Sequence, residues 1–172
     1  MTLEKLLSAD ARWSASLRRA ERPGILRRAA TVFAHSGDSW FWGLGLAIIV
    51  WRGDAFWRSW AVHLVLCIAA LAVVVLGIKL LVRRRRPPGE WGAIYRNTDP
   101  HSFPSGHAAR AVLLAVLLAA WGPAWAAPLA IVWAPLVSLA RVALGVHYLS
   151  DVIAGALLGL AAAALAVTVS TP

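Results

Sequence analysis

The chain has 172 residues, of which 60% are hydrophobic and ten are Trp, and its mean hydropathy is +0.68. That length suits one domain, and apolar runs of about twenty residues place it in a bilayer as transmembrane helices. The net charge of +9 sits beside those runs with no separate soluble domain to carry it, which points to anionic lipid headgroups rather than nucleic acid, and the single cysteine, Cys67, excludes a disulfide framework or a thiol metal site.

Residues 1–37 are not a cleavable signal. Leu6, Leu7, Trp13 and Leu17 recur at helical spacing, but Arg12, Arg18, Arg19, Glu21 and Arg22 interrupt them. The pattern predicts an amphipathic helix on the membrane surface, ended near Pro23-Gly24, and a second short segment around 25–33. A solvated anchor suits it better than a substrate-gathering surface. A first span is predicted over 39–51, with Trp40, Trp42, Trp51, Trp57 and Trp60 marking the interfaces. Arg52-Gly53-Asp54 then reads as a tight turn, not an adhesion signal. A second span covers 59–82, with His63 near its start as a packed histidine. Residues 83–105 form a long polar connection, with Arg83 to Arg86 ahead of Pro87-Pro88-Gly89.

A third span runs to Trp121 and turns at Gly122-Pro123. A fourth covers 124–144, with Pro135 expected to kink it. A fifth covers 148–169, where Gly155 and Gly159 make a face for close helix packing. The expected fold is all-α: one membrane-embedded domain over 1–172, a polytopic transmembrane helix bundle of about five spans plus an N-terminal amphipathic interfacial helix.

Charged and polar residues within 79–151 occur where apolar runs begin or end. A chain crossing the bilayer at each run brings Lys79 and Arg86, Ser105 and His107, Arg141, and His147 with Asp151 to one face. Arginine offers a planar fork to phosphate oxygens and lysine a compact charge. Lys79 and Arg86 lie about two turns apart if the helix continues. Arg83, Arg84 and Arg85 read as a topogenic cluster. Ser105 is a good N-cap, Gly106 admits a ligand to the backbone, and the free N–H groups of a helix start favour an anion. His107 there can give a proton to a leaving oxygen, although the stretch alone is equally a capped helix start. His147 and Asp151 are four apart and share a helical face. The carboxylate can take the Nδ1 proton and leave Nε2 as a nucleophile, or the two can form a plain structural pair.

These residues resemble the membrane-bound type 2 phosphatidic acid phosphatase family. Lys79 to Arg86-Pro87 matches its first motif, Pro104-Ser105-Gly106-His107 its second, and Arg141, His147 and Asp151 its third, with Ala140 where the family has serine. The resemblance implies a lipid phosphatase acting on a phosphomonoester or diphosphate. Isoprenyl (di)phosphate, phosphatidic acid, phosphatidylglycerophosphate and lipid A phosphates are all admissible substrates. It implies that His147 attacks phosphorus to form a phosphohistidine, that Asp151 orients it and that His107 protonates the leaving oxygen. Lys79, Arg86, Arg141, Ser105 and the Gly106 N–H would hold the phosphate oxygens, with no metal and no cofactor.

A transporter or flippase for phosphorylated lipids would use the same cations, but has no need of His107 or of His147 with Asp151. A structural subunit has no need of four charged span ends on one face. The expected location is a multi-pass position in a bacterial inner membrane. The site-face cations Lys5, Arg12, Arg18, Arg19, Arg22, Arg27, Arg28, Arg83, Arg84, Arg85 and Arg96, against Arg52 and Arg58 opposite, point the site to the cytoplasm.

Overall fold

The computed structural model describes residues 2–89, 99–170 and 172; Arg96 lies outside them. Among the described residues there are seven helices and no strands. They are α1 (Leu3–Leu17), α2 (Ile25–Ser36), α3 (Ser39–Arg52), α4 (Ala55–Val82), α5 (Gly106–Trp121), α6 (Ala126–Ala143) and α7 (Leu149–Val169). The all-helical expectation holds. Three helices, α4, α6 and α7, are long and apolar enough to cross a membrane, and α5 is a shorter apolar helix. The 14 residues of α3 give it a length of only ~21 Å, against a hydrocarbon core of about 30 Å.

Two helix starts are set by side chains, and one helix stop by backbone. Asp54, in the predicted turn, caps α4 by accepting Trp57 N–H at 3.0 Å. Ser105 caps α5 through Ala108 N–H at 3.5 Å. The α4 helix stops where Arg83 adopts a left-handed φ of 50°. The helix therefore does not continue to Arg86, as the spacing argument assumed. Pro87 and Pro88 hold the preceding residues extended, and an isolated antiparallel bridge pairs Arg85 with His101. The α6 helix runs on through Pro135.

Helix α5 is the centre of the bundle. Ala108, Ala109, Ala111, Leu113, Leu114, Ala115 and Leu117 are all buried on it, so apolar packing surrounds it rather than striping one face. It is wedged between α6 and α7, with α4 against it through Leu64, Leu71 and Val75. The α7 contact is close because α7 presents glycine. A Cβ on Gly155 would strike the Ser105 carbonyl oxygen, and one on Gly159 the Ala109 carbonyl oxygen. Leu66, Val73, Leu81, Leu157 and Leu165 point outward on α4 and α7 and are exposed, as a lipid-facing surface requires.

His63 is packed as expected. Its Nδ1 lies 2.9 Å from the Ser59 carbonyl, and its ring meets Trp121 edge-on.

Helix α1 departs from the expected solvated anchor. Its apolar Leu6, Leu7, Trp13 and Leu17 are exposed, while Ser14 is fully buried. The polar face is the one docked on the bundle. Asp10 accepts Ser150 N–H at 3.0 Å and Ser150 Oγ–H at 2.5 Å, and Ser14 Oγ accepts Leu149 N–H at 2.8 Å. The amides at the start of α7 take their partners from α1.

Gly159→Val should force α5 and α7 apart, because a rigid backbone carbonyl stands where the side chain would go. The expected loss is about 1–3 kcal/mol, read as a lower unfolding midpoint in detergent. An unchanged midpoint would refute the close-packing account.

Candidate active site

A cavity of about 800 Å³ opens among α3, α4, α5 and the α6–α7 connection. Its polar end contains Lys79, Asp99, His101, His107, Arg141 and His147, and its other wall is the apolar face of α4 from Ile68 to Leu80. Gly106 lines it at the start of α5.

His147 stands in the connection before α7, not on the helix, so its relation to Asp151 is not the expected one of a shared helical face. Two amides, those of Val146 and His147, donate to the Arg141 carbonyl at 3.1 and 3.2 Å. Asp151 folds back to accept Tyr148 N–H at 2.9 Å, as a capping-box carboxylate does. The same Asp151 Oδ2 then lies 3.5 Å from His147 Nδ1. On its other side, His147 Nε2 lies 3.1 Å from Arg86 Nη1. A guanidinium can only donate, so Nε2 carries the lone pair and Nδ1 the proton. Burial pushes the imidazole well below its ordinary pKa, and Arg141, Arg86 and Lys79 push it further. The ring is neutral at neutral pH.

Lys79 and Arg86 converge as predicted, but by different means. Lys79 reaches from the last turn of α4, and Arg86 from the extended segment beyond it. Both grip Asp99. Its Oδ2 is 2.6 Å from Lys79 Nζ and 2.7 Å from Arg86 Nη2, and its backbone carbonyl accepts Arg86 Nε–H at 2.7 Å. Burial would raise the Asp99 carboxyl, but Lys79 and Arg86 outweigh it and hold the group ionised. One carboxylate oxygen thus bridges the two cations of the first motif.

Asp151 is shared more widely than a dedicated partner of His147 would be. Its Oδ1 accepts Arg84 Nη1–H at 2.7 Å, and Arg84 Nη2 reaches Asp10 of α1 at 2.6 Å. The Arg84 guanidinium lies 3.9 Å over the Tyr148 ring. Arg84 is therefore no topogenic charge, although Arg83 and Arg85 are exposed. Ser105 is the expected N-cap, but it does not stand where a phosphate ligand was expected. Its side chain is buried, caps α5 and does not line the cavity; its N–H donates to the Asp151 carbonyl at 2.9 Å. Ala140, in the family's serine position, packs with Ala20, Ala30 and Ala34 in the seam joining α6 to α2.

His107 Nε2 lies 2.7 Å from Asp38 Oδ1, just ahead of α3. Arg110, one turn along α5, donates through Nε to the Gly37 carbonyl at 2.9 Å and through Nη1 to Ser39 Oγ at 2.7 Å. The sequence reading missed Asp10, Asp38, Asp99 and Arg110. Arg110 was legible as an ionisable residue inside an apolar run. No local pattern marks the three aspartates for the site, because Asp10 meets Arg84 across 74 residues, Asp38 meets His107 across 69, and Asp99 meets Lys79 and Arg86 across 20 and 13.

A family model described as the PAP2 superfamily matches residues 60–171. The decaprenylphosphoryl-5-phosphoribose phosphatase of Mycobacterium tuberculosis is 39% identical over 143 residues, covering 81% of this chain and 77% of the relative. Among solved structures, a transmembrane PAP2 type phosphatidylglycerolphosphate phosphatase from Bacillus subtilis superposes with a TM-score of 0.74 at 27% identity, over 94% of this chain and 84% of that one. LpxE from Aquifex aeolicus superposes with a TM-score of 0.72 at 25% identity, over 91% and 93%. Matched along most of its length and carrying the three motifs around one cavity, the chain belongs to the PAP2 superfamily and is a phosphatase acting on lipid phosphate.

Proposed function

We propose that the chain removes a phosphate from a phosphomonoester or diphosphate on a lipid through a phosphohistidine on His147. The substrate we favour is a prenyl-phosphate-linked sugar phosphate, by likeness to the mycobacterial relative. The observation that carries the reading is the Arg86 Nη1 contact to His147 Nε2 at 3.1 Å. It puts the imidazole lone pair on the side where the cations converge.

The substrate phosphate takes the place of the Asp99 carboxylate on Lys79 and Arg86, with Arg141 and the Gly106 N–H closing on its remaining oxygens. Charge that builds on the phosphoryl oxygens meets donors already fixed in place. His147 Nε2 forms the N–P bond as the P–O bond breaks, and Asp151 steadies the growing charge at Nδ1. His107 protonates the departing oxygen. It then takes a proton from the water that attacks phosphorus and returns the bond pair to Nε2. Ser105 contributes through its backbone tie to Asp151 and its cap on α5. The α4 wall from Ile68 to Leu80 offers ~18 Å of apolar surface to a lipid tail.

We place the chain in a bacterial inner membrane as one domain of five passes, α3 to α7, with the site on the cytoplasmic face. Arg84 drops out of the supporting charge bias because Asp10 and Asp151 hold it. The bias survives on Lys5, Arg12, Arg18, Arg19, Arg22, Arg27, Arg28, Arg83, Arg85 and Arg96, against Arg52 and Arg58.

His147→Ala should abolish phosphate release from detergent-solubilised protein assayed on a panel of prenyl, phosphatidic and phosphatidylglycerol phosphates. In the wild type, the acid limb of kcat/KM should lie below the ordinary histidine value of 6.5, because a depressed pKa keeps Nε2 unprotonated at lower pH. Near-normal turnover of the alanine variant, or an acid limb above 6.5, would sink the nucleophile assignment.

Arg84→Ala frees one oxygen of Asp151 and should lower kcat by about 10–100-fold, as loss of a supporting contact does. Arg83→Ala, at an exposed position, should match the wild type. Equal effects of the two would return Arg84 to a topogenic role.

For the membrane face, a reporter active only outside the cytoplasm should be active when fused after Pro172. A silent fusion in catalytically active protein would reverse the orientation.

A further inference from the structure

The segment between α2 and α3 is built with more care than a connection requires. Asp38 occupies the N-cap position of α3, yet its side chain makes no capping bond; Asp54, in the same position on α4, does. Both Asp38 oxygens are used elsewhere. Oδ1 faces His107 Nε2 at 2.7 Å, and Oδ2 faces His35 Nδ1 at 2.9 Å and Trp40 Nε1 at 3.2 Å.

The backbone on either side is clamped from α5. Arg110 donates to the Gly37 carbonyl through Nε and Nη2, and to Ser39 Oγ through Nη1. A Cβ on Gly37 would lie 2.8 Å from Val137 Cγ1 and 3.4 Å from His107 Cδ2, so glycine is what lets this segment close on the histidine. Asp38, Ser39, His107 and Arg110 all line the cavity.

We propose that Asp38 is a positioning residue for the acid. It holds His107 as the imidazolium that protonates the leaving oxygen, and so forms a second aspartate–histidine pair, on the cavity that His147 lines. The inference rests on the phosphatase reading. In the charged ring, Nε2–H donates to Asp38 and leaves Nδ1–H for the departing oxygen. As the P–O bond breaks, its electron pair stays on that oxygen, the Nδ1 proton moves to it, and His107 becomes neutral. In the second half, Nδ1 takes the proton back from water.

A counter-ion is needed because Arg110 and Arg141 also flank the cavity and repel a charged ring. Burial would push the Asp38 carboxyl up, but the bonds from His107 and His35 outweigh it, and the group stays ionised below the usual carboxylate range. The pair Asp38 and His107 is 69 residues apart, so neither can have been placed by local helix geometry.

The test compares two esters whose leaving groups differ in their need for a proton. A nitrophenolate departs without one, and an alkoxide does not. Asp38→Asn should lower kcat/KM on dodecyl phosphate far more than on p-nitrophenyl phosphate. The ratio of the two rates should change by about 10–100-fold. The basic limb on dodecyl phosphate should move to lower pH, because the neutral amide no longer offsets Arg110 and Arg141, with His35 the remaining titrating neighbour. Asp38→Glu should recover part of the ratio, and Asp38→Asn should add nothing in a His107→Gln background. Equal losses on both esters would mean a structural role and overturn the inference. So would a further loss in the His107→Gln background. Wild-type turnover of neither ester would remove the phosphatase reading itself, and the inference with it.

Discussion

The Asp151 carboxylate is the point on which the site depends. It is fully buried, and its atoms tie together four parts of the chain. Its backbone carbonyl accepts the Ser105 amide, which fixes the start of α5 against the start of α7. One side-chain oxygen takes Arg84 from the end of α4, and the other takes the Tyr148 amide and faces His147. A buried charge that lost any of these partners would carry an uncompensated desolvation cost. The three motifs thus meet at one residue, through its carboxylate and its backbone carbonyl, and Arg86 adds a direct contact to His147.

Around it, the buried Lys79, Arg86 and Arg110 and the half-buried Arg84 each meet an anion or a carbonyl. Arg84 stands between Asp10 and Asp151, Lys79 and Arg86 share Asp99, and Arg110 caps the Gly37 carbonyl. In surroundings of low polarity this pairing is obligatory. It also explains how Lys79 and Arg86 survive packing side by side: the Asp99 carboxylate supplies the anion that both share.

The N-terminal region turns out to be part of the site's support. The α1 helix directs its apolar residues away from the bundle and its Asp10 and Ser14 into it, as suits a helix held between a lipid surface and the protein. Through Asp10 and Arg84 it reaches the carboxylate beside His147. Through Ala20, whose amide donates to the Ala143 carbonyl at 3.1 Å, its trailing segment meets the end of α6. The segment after α2 supplies Asp38 to His107. Residues outside the three motifs therefore reach both histidines, Asp10 by way of Arg84 and Asp151, and Asp38 directly.

Sequence by itself determined the helical class, the helix ends at Ser105 and Gly122, the packing face at Gly155 and Gly159, and the gathering of Lys79, His107, Arg141 and His147 around one cavity, with Arg86 against His147. Each follows from local chemistry: apolar periodicity, a capping hydroxyl, a missing side chain, and alternation of span ends between two faces. Tertiary structure decided what those residues touch. Arg86 is delivered by an extended segment because prolines follow it, His147 stands beside a capping carboxylate rather than sharing a helical turn with it, and Ser105 reaches Asp151 through its backbone amide. Arg84 acquired a partner that its place in a run of four arginines concealed. Asp10, Asp38 and Asp99 show why these details were out of reach. A carboxylate's role is set by the cation or imidazole it meets, and here those partners arrive from other helices through packing that no local pattern encodes.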